Sequence, residues 1–307
     1  MRIVFMGTPE FAVPSLEALI QAGHTVCGVF SQPDKPVGRH QNRLQPTPTK
    51  VCAMAHGIPV FQPTKLRDGT ALAQLTELAP ELIVVAAYGR ILPDDILNLP
   101  PKGCINVHSS LLPKYRGSAP IHWAVIQGEE ETGVTIMHMA SELDAGDIID
   151  QISTPIAPDE TVESVHDRLA QLGGKLLVQV VAQIADGTAH RIPQDPSQVS
   201  FAPMLTRELS PIDWTKKAKE IHNQIRGLIP WPATSTDLFS QPPVKIFSST
   251  VLEGKTSLPA GTLLAAGKDG IDVACGDGGI LRILELQVPG SRRMSAGDYL
   301  RGHPISC

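Results

Sequence analysis

The sequence is poor in aromatic residues, which make up 4 % of its 307 residues. So few rings give no broad platform on which nucleobases could stack, as they do on proteins that bind single strands. Positive charge is not in excess either, since a formal net charge of −5 argues against a wholly basic surface that coats nucleic acid. Residues 1–206 carry a net charge of −7 and residues 207–307 a net charge of +2, so the C-terminal third is the better candidate for meeting a polyanion.

Paired cysteines and long apolar runs are missing as well. The five cysteines are widely spaced and include no CxxC motif, so neither a disulfide framework nor a zinc site is indicated, and a reduced cytosolic setting fits best. The apolar run after Arg2 is too short for a signal peptide, and no stretch approaches the ~18–20 apolar residues of a membrane span. We therefore expect a cytoplasmic protein that binds no membrane. Because no heptad or exposed apolar stripe stands out, we also expect a monomer.

Apolar runs alternate with helical spacing along the first half of the chain. This alternation predicts a mostly parallel sheet covered by helices on both faces, and such sheets bind ligands beyond the carboxyl ends of their strands. Gly173 and Gly174 lie inside the long predicted helix, where each costs about 1 kcal/mol relative to alanine, so we expect close packing there. The predicted strands are 3–6, 24–30, 81–89, 103–108, 132–139 and 146–153, and the predicted helices are 11–22, 48–56, 70–78 and 162–185.

The chain changes character after residue 188. Four prolines punctuate a polar stretch, which predicts a linker at residues 189–211. After one helix near residues 215–226, short apolar runs separated by Gly and Pro predict a small antiparallel barrel. The expected fold class is α/β: a Rossmann-like, mostly parallel sheet domain at residues 1–188, followed by a smaller OB-like β-barrel domain at residues 212–307.

Three polar residues are candidates for chemistry. Asn106 and His108 lie two positions apart in a predicted strand, so their side chains share one face, and Asp144 lies in a loop between two later strands. An amide can donate a hydrogen bond to an oxyanion, an imidazole can move protons at neutral pH, and a carboxylate can orient the imidazole. Each residue alone is more often structural than catalytic. No GxSxG, GxGxxG or GxxxxGK[ST] motif accompanies them. The residues by themselves therefore indicate an α/β enzyme, for which direct acyl-type transfer is one possible reaction.

The surrounding motifs resemble a known family. The segments "INVHSSLLPKYRGSAPI", "ETGVTIMHM" and "LDAGDII" occur in the order found in the formyltransferases that use 10-formyltetrahydrofolate. The resemblance implies that Asn106, His108 and Asp144 are the catalytic residues, that the donor substrate is 10-formyltetrahydrofolate, and that no metal is required. It also implies a folate-binding signature formed by Ser110, Leu111, Leu112 and Pro113.

Three further segments are similar to the branch of that family that acts on methionyl-tRNA. They are the start "FMGTPEFAVPSLEAL", the basic insertion at residues 29–50 and the junction "IDWTKKAKEIHNQIRGLIPWPAT". The resemblance implies initiator Met-tRNA as the partner, a C-terminal barrel that holds it, and a cytoplasmic enzyme of bacterial type. The insertion would enter the acceptor end of the tRNA, with Lys35, Arg39 and Arg43 as contacts to its phosphates.

Two alternatives stay open at this point. A sugar-nucleotide amine formyltransferase would use the same donor and the same three residues without needing the basic insertion. A folate- or RNA-binding regulator would need no such catalytic set. The expected reaction is transfer of the formyl group to the α-amine of methionine on the initiator tRNA, which gives N-formylmethionyl-tRNA for translation initiation.

Overall fold

The computed structural model describes residues 1–37 and 43–305. Its α-helices are α1 Val13–Gln21, α2 Pro48–Ala55, α3 Thr70–Leu78, α4 Asp94–Leu97, α5 Pro120–Gln127, α6 Val162–Asp186, α7 Ala218–Gly227 and α8 Ala296–Gly302. The strands of the first 155 residues are β1 Arg2–Gly7, β2 Thr25–Phe30, β3 Lys35–Val37, β4 Arg43–Gln45, β5 Val60–Phe61, β6 Leu82–Ala86, β7 Cys104–His108, β8 Arg116–Gly117, β9 Glu131–His138 and β10 Ile148–Pro155. The later strands are β11 Phe201–Ala202, β12 Thr234–Thr236, β13 Val244–Leu252, β14 Leu263–Gly267, β15 Gly270–Ala274, β16 Ile280–Gln287 and β17 Met294–Ser295.

The chain forms two compact units. The first contains Met1–Gly117, Thr132–Thr154 and His166–Phe201, and the second contains Ser118–Glu131, Pro155–Val165 and Ala202–Cys307. The second unit therefore includes two short segments from the N-terminal half of the sequence in addition to its C-terminal part. The predicted domain boundaries at residues 188, 211 and 212 stay predictions.

A seven-stranded sheet in the order β10-β9-β7-β6-β1-β2-β5 organises the first unit. Strands β5, β2, β1, β6 and β7 pair in parallel, and β9 pairs antiparallel with β7. The mostly parallel sheet predicted from the apolar runs is confirmed. Strand β6 is buried at every position, as expected for a strand covered on both faces, and it ends at Ala86 because Ala87 takes a left-handed φ of 45°.

The glycine pair in helix α6 allows close packing, as its position in the sequence predicts. A Cβ atom at Gly173 would lie 3.0 Å from Cγ1 of Val107, the residue that precedes His108. A Cβ atom at Gly174 would lie 2.8 Å from the carbonyl oxygen of Pro14 in helix α1. Close packing of α6 on β7 and α1 explains why the helix keeps two residues of low helical propensity.

The second unit is built on an antiparallel sheet with a core of its own. Its strands follow the order β12-β13-β16-β15-β14, with β17 paired to β16. Helix α7 contributes Ile221 and Ile225 to the core, where they meet Val244, Ile246 and Leu281. The predicted antiparallel β domain is confirmed. The predicted helix near residue 215 begins later, at Ala218, because the carboxylate of Asp213 accepts a hydrogen bond from the Thr215 N–H and holds a turn there.

No helix among residues 1–37 and 43–305 is both long and apolar enough to cross a membrane.

Candidate active site

Strand β7 places two of the predicted side chains on one face. Asn106 is paired with Val85 of β6 on one side and with Met137 of β9 on the other, and His108 is paired with Thr135. His108 is only 5 % exposed, whereas Asn106 is half-buried. The strand is therefore held from both sides, and its two polar side chains have little freedom to move apart.

The imidazole of His108 faces an oxygen acceptor at each ring nitrogen. Its Nε2 lies 3.0 Å from the carbonyl oxygen of Tyr115, and because a carbonyl only accepts, Nε2 carries the proton of that hydrogen bond. Its Nδ1 lies 3.8 Å from Oδ2 of Asp144, which is longer than a direct hydrogen bond. One hydrogen bond therefore orients the ring, and Nδ1 faces the Asp144 carboxylate.

Asp144 comes from the loop that joins β9 to β10, and its carboxylate is also anchored. Oδ2 accepts a hydrogen bond from the Gly117 N–H at 2.8 Å, and the residue is 9 % exposed. Its φ of 51° is left-handed, a conformation that few non-glycine residues adopt. Two positions later the loop needs glycine, since a Cβ atom at Gly146 would lie 1.7 Å from the carbonyl oxygen of His138. The structure therefore brings His108 and Asp144 together, on the face of the strand that also carries Asn106.

The segment Ser110 to Pro113 follows strand β7 as a tightly bonded turn. The Ser110 hydroxyl is fully buried and donates to the carbonyl oxygen of Lys114 at 2.7 Å. The Thr135 hydroxyl donates to the carbonyl oxygen of Ser110 at 2.7 Å and accepts from the Leu112 N–H at 3.0 Å. Leu112 packs in a small buried cluster, whereas Leu111 and Pro113 are half-buried. Leu111 and Pro113 are thus the members of the signature with side-chain surface left to meet a ligand.

The basic insertion forms a short hairpin where the structure describes it. Lys35 pairs with Gln45 and Val37 pairs with Arg43, and the side chains of Lys35 and Arg43 are exposed. Arg39 lies outside the described residues. The positive charge of Lys50 is compensated, because its Nζ lies 2.6 Å from Oδ2 of Asp34 and donates to Gln62 at 2.9 Å.

Other polar groups surround the strand ends near β1 and β6. The Gln32 side chain accepts a hydrogen bond from Arg90 at 3.0 Å and donates to the carbonyl oxygen of Tyr88 at 3.1 Å, and that same oxygen accepts from Thr8. Burial raises the pKa of the Tyr88 phenol, so this side chain stays neutral. Within the parts of the chain that the structure describes, no three His, Cys, Asp or Glu side chains come together as a metal site would need.

Sequence reasoning missed several residues that hold the site. Tyr115 and Gly117 act through backbone atoms, which leave no signature in the identity of the residue. Gln194 donates from its side-chain amide to the carbonyl oxygens of Asp144 and Gly146 at 2.7 and 2.9 Å. Ser200 accepts from the Tyr115 N–H at 2.9 Å. Gln194 and Ser200 both lie in the segment predicted as a linker, where proline content masked any other signal.

Comparison with known proteins matches both parts of the chain to protein families. Residues 1–181 match the family described as formyl transferase, and residues 204–304 match the family described as formyl transferase, C-terminal domain. The methionyl-tRNA formyltransferase of Pelotomaculum thermopropionicum is 51 % identical over 306 residues, which cover 99 % of this chain and 96 % of the relative. That of Trichlorobacter lovleyi is 49 % identical over 305 residues, with 99 % and 95 % coverage.

Solved structures of lower identity share the fold. An N-formyltransferase from Helicobacter canadensis, in complex with folinic acid and dTDP-3-aminofucose, superposes with a TM-score of 0.71 at 21 % identity, over 92 % of this chain and 98 % of that one. HypX from Aquifex aeolicus in complex with tetrahydrofolic acid gives a TM-score of 0.64 at 17 % identity, over 98 % of this chain and 47 % of the other.

Proposed function

The chain belongs to the family of methionyl-tRNA formyltransferases, and we propose that Asn106, His108 and Asp144 perform its formyl transfer to the methionine amine of Met-tRNA. The observation that carries the proposal is the convergence of His108 and Asp144, 3.8 Å apart, with Asn106 two positions before His108 on the same strand face. An amide, an imidazole and a carboxylate in this arrangement suit a reaction in which an oxyanion forms and a proton is lost.

The donor we propose is 10-formyltetrahydrofolate. The formyl transferase family match supports a folate donor, and HypX, which shares the fold, was solved with tetrahydrofolic acid. We infer that the turn from Ser110 to Pro113 forms one wall of the donor site. Its rigidity comes from the Thr135 and Ser110 hydroxyl groups, so Leu111 and Pro113 would supply the apolar surface against the ligand.

The acceptor we propose is the α-amine of methionine carried by the initiator tRNA. The nitrogen lone pair attacks the formyl carbon, a new C–N bond forms, and the π electrons of the carbonyl move onto its oxygen. The Asn106 amide and a protonated His108 donate hydrogen bonds to that oxygen. The oxygen lone pair then re-forms the carbonyl as the bond from carbon to N10 breaks with its electron pair on N10. N10 takes up the proton that the attacking amine has lost to Asp144, which gives tetrahydrofolate and the formylated amine.

His108 and Asp144 have separate tasks in this scheme. The Tyr115 carbonyl holds Nε2, so Nδ1 is the nitrogen that remains to meet the substrate. Asp144 faces that nitrogen and balances the charge of the protonated ring. Once the amine has attacked, its surplus proton moves to the Asp144 carboxylate, which is 9 % exposed and therefore sheltered from solvent.

The tRNA contacts we propose lie in the basic insertion and in the C-terminal domain. Lys35 and Arg43 are exposed in the hairpin, and no acidic partner among the described residues is bonded to either. Free positive side chains of this kind bind phosphates, which position a nucleic acid without reading its sequence. Arg39 would act with them.

The assay that tests the proposal offers two acceptors to the same purified enzyme. With 10-formyltetrahydrofolate as donor, Met-tRNA should be formylated and a dTDP-amino sugar should not. Formylation of the sugar without formylation of Met-tRNA would favour the sugar-nucleotide alternative. Binding of folate and tRNA with no transfer to either acceptor would favour a regulator.

A further inference from the structure

The segment from Tyr115 to Gly117 contacts both His108 and Asp144. The Tyr115 carbonyl accepts from His108 Nε2 at 3.0 Å, and the Gly117 N–H donates to Asp144 Oδ2 at 2.8 Å. Between them, Arg116 directs its guanidinium to Gln194. Tyr115 and the two residues of strand β8 therefore link the imidazole, the carboxylate and a glutamine 50 residues beyond Asp144.

Both N–H donors of the Gln194 side-chain amide have hydrogen-bond acceptors. Its nitrogen donates one hydrogen bond to the carbonyl oxygen of Asp144 at 2.7 Å and one to that of Gly146 at 2.9 Å. A primary amide has two N–H donors, so both are occupied by the backbone of the loop that carries Asp144. Since the φ of Asp144 is left-handed, this loop conformation must be stabilised from outside, and Gln194 does so.

Arg116 fixes the orientation of the glutamine. Its Nε and Nη2 lie 3.0 and 2.8 Å from the single oxygen Oε1 of Gln194, and the residue is 8 % exposed. A guanidinium donates only, so it selects the amide oxygen and turns the amide nitrogen toward Asp144 and Gly146. The more distant partner of Arg116 is Glu142, 3.4 Å from Nη1 and itself exposed.

We propose that Gln194, oriented by Arg116, is a positioning residue that holds Asp144 opposite His108 for formyl transfer. This inference rests on the proposed function, because it assigns the glutamine a role only through Asp144. The peptide from Tyr115 to Gly117 fixes the imidazole and the carboxylate oxygen, while Gln194 fixes the backbone from which that carboxylate projects. Loss of the glutamine amide would leave both substrate sites intact and release the carboxylate from its place.

Two variants of Gln194 and one matched control test the role. Gln194→Leu removes both donors and the acceptor, whereas Gln194→Glu keeps the acceptor toward Arg116 and loses only the donors. Both should lower kcat by about 10²-fold, as expected for a misplaced catalytic group, with KM for Met-tRNA and for the donor kept near wild type. The control is Gln198→Leu, because Gln198 is exposed in the same segment and its side chain donates to Asp195; it should retain wild-type kcat.

A double-mutant cycle separates positioning from general damage. If Gln194 acts through Asp144, then Gln194→Leu should cost no further activity in an Asp144→Asn background. Equal losses in both backgrounds, or a rise in KM with unchanged kcat, would overturn the positioning role. If Gln194→Glu keeps the wild-type kcat while Asp144→Asn is impaired, the positioning role is overturned and the proposed function stays in place. Wild-type kcat in Asp144→Asn itself would overturn the proposed catalytic role of the carboxylate and the positioning role with it.

Discussion

Nδ1 of His108 lies 3.8 Å from Oδ2 of Asp144, although 36 positions separate the two residues in the chain. Each of the two side chains is held in place by a backbone atom of another segment. The imidazole is held by the carbonyl of Tyr115 and the carboxylate by the N–H of Gly117, so the segment from Tyr115 to Gly117 contacts both side chains. Because backbone atoms hold both groups, the proposed reaction would require little rearrangement of this pair, which is a form of preorganisation that lowers an enzyme's barrier.

Removing one exposed arginine of the basic insertion should weaken the tRNA step. Arg43→Ala loses a charge that can pair with a phosphate, so KM for Met-tRNA should rise and the slope of log KM against log salt should fall by about 1. KM for the donor should stay unchanged, and Arg39→Ala should behave in the same way. Arg67→Ala is the matched control, an exposed arginine outside the insertion. Equal changes in Arg43→Ala and Arg67→Ala would contradict the role of the hairpin.

Substitution of Thr135 should disturb the proposed donor site. Its hydroxyl is fully buried, donates to Ser110 and accepts from Leu112 and Gln151. Thr135→Val leaves those polar groups unpaired and should cost about 1–3 kcal/mol of unfolding free energy, with a raised KM for the donor. Urea unfolding and donor titration measure the two effects.

A second threonine in the same sheet provides the comparison. Thr154→Val alters a buried threonine of β10 whose hydroxyl has no hydrogen bond among the described residues, so donor KM should not change. A donor KM that rises equally in Thr135→Val and Thr154→Val would show that the turn from Ser110 to Pro113 does not form the wall of the site.

Gly146 should not tolerate a side chain. A Cβ atom there would lie 1.7 Å from the carbonyl oxygen of His138, so Gly146→Ala must move the loop that carries Asp144. We expect a loss of about 1–3 kcal/mol in unfolding free energy together with a fall in kcat. Gly302→Ala, where no atom lies within 4 Å, should change stability by less than about 0.5 kcal/mol. Full activity in Gly146→Ala would refute the tight fit of this loop.

Stability should fall as the solution becomes acidic, in part through His222. Burial lowers the pKa of this imidazole, and the nearby Arg226 lowers it further, against the raising effect of Asp159. Because the folded-state pKa lies below the unfolded value of about 6.5, the unfolded state binds more protons as pH falls, so stability is fully present above that value and is lost below it.

Urea unfolding across this pH range measures the contribution. His222→Gln should flatten the dependence, while His56→Gln, an exposed histidine of the first unit, should keep the wild-type slope. The pKa of His138 is also lowered, chiefly by burial, so some slope should remain. Stability that rises on acidification would contradict the assignment.

The sequence predicts the fold well where physical signals are local. Strand β6 is a run of apolar residues and is buried at every position, and Gly173 and Gly174 mark a close contact, since a Cβ atom there would lie 3.0 and 2.8 Å from its nearest neighbour. Asn106 and His108 could be placed on one face from their spacing alone. Asp144 could be named as a candidate from its place in a loop between two strands, but nothing in the sequence sets its distance from His108.

The support of the site could not be predicted for a physical reason. Tyr115 and Gly117 contribute a carbonyl and an N–H, which every such residue possesses, so their identities give no signal. Gln194 lies in a polar, proline-containing segment and reaches Asp144 only through the folded path of the chain. Long-range side-chain-to-backbone bonds of this kind become visible only in three dimensions.

The most direct measurement is the single-turnover rate of formyl transfer from 10-formyltetrahydrofolate to Met-tRNA at saturating substrate. Asn106→Ala and His108→Ala should each lower that rate by about 10²–10³-fold, the usual effect of removing one donor to an oxyanion, while tRNA binding stays near wild type. Asn98→Ala, at an exposed asparagine, should react at the wild-type rate. Near-normal rates in both Asn106→Ala and His108→Ala would contradict the assignment of these residues to the transfer.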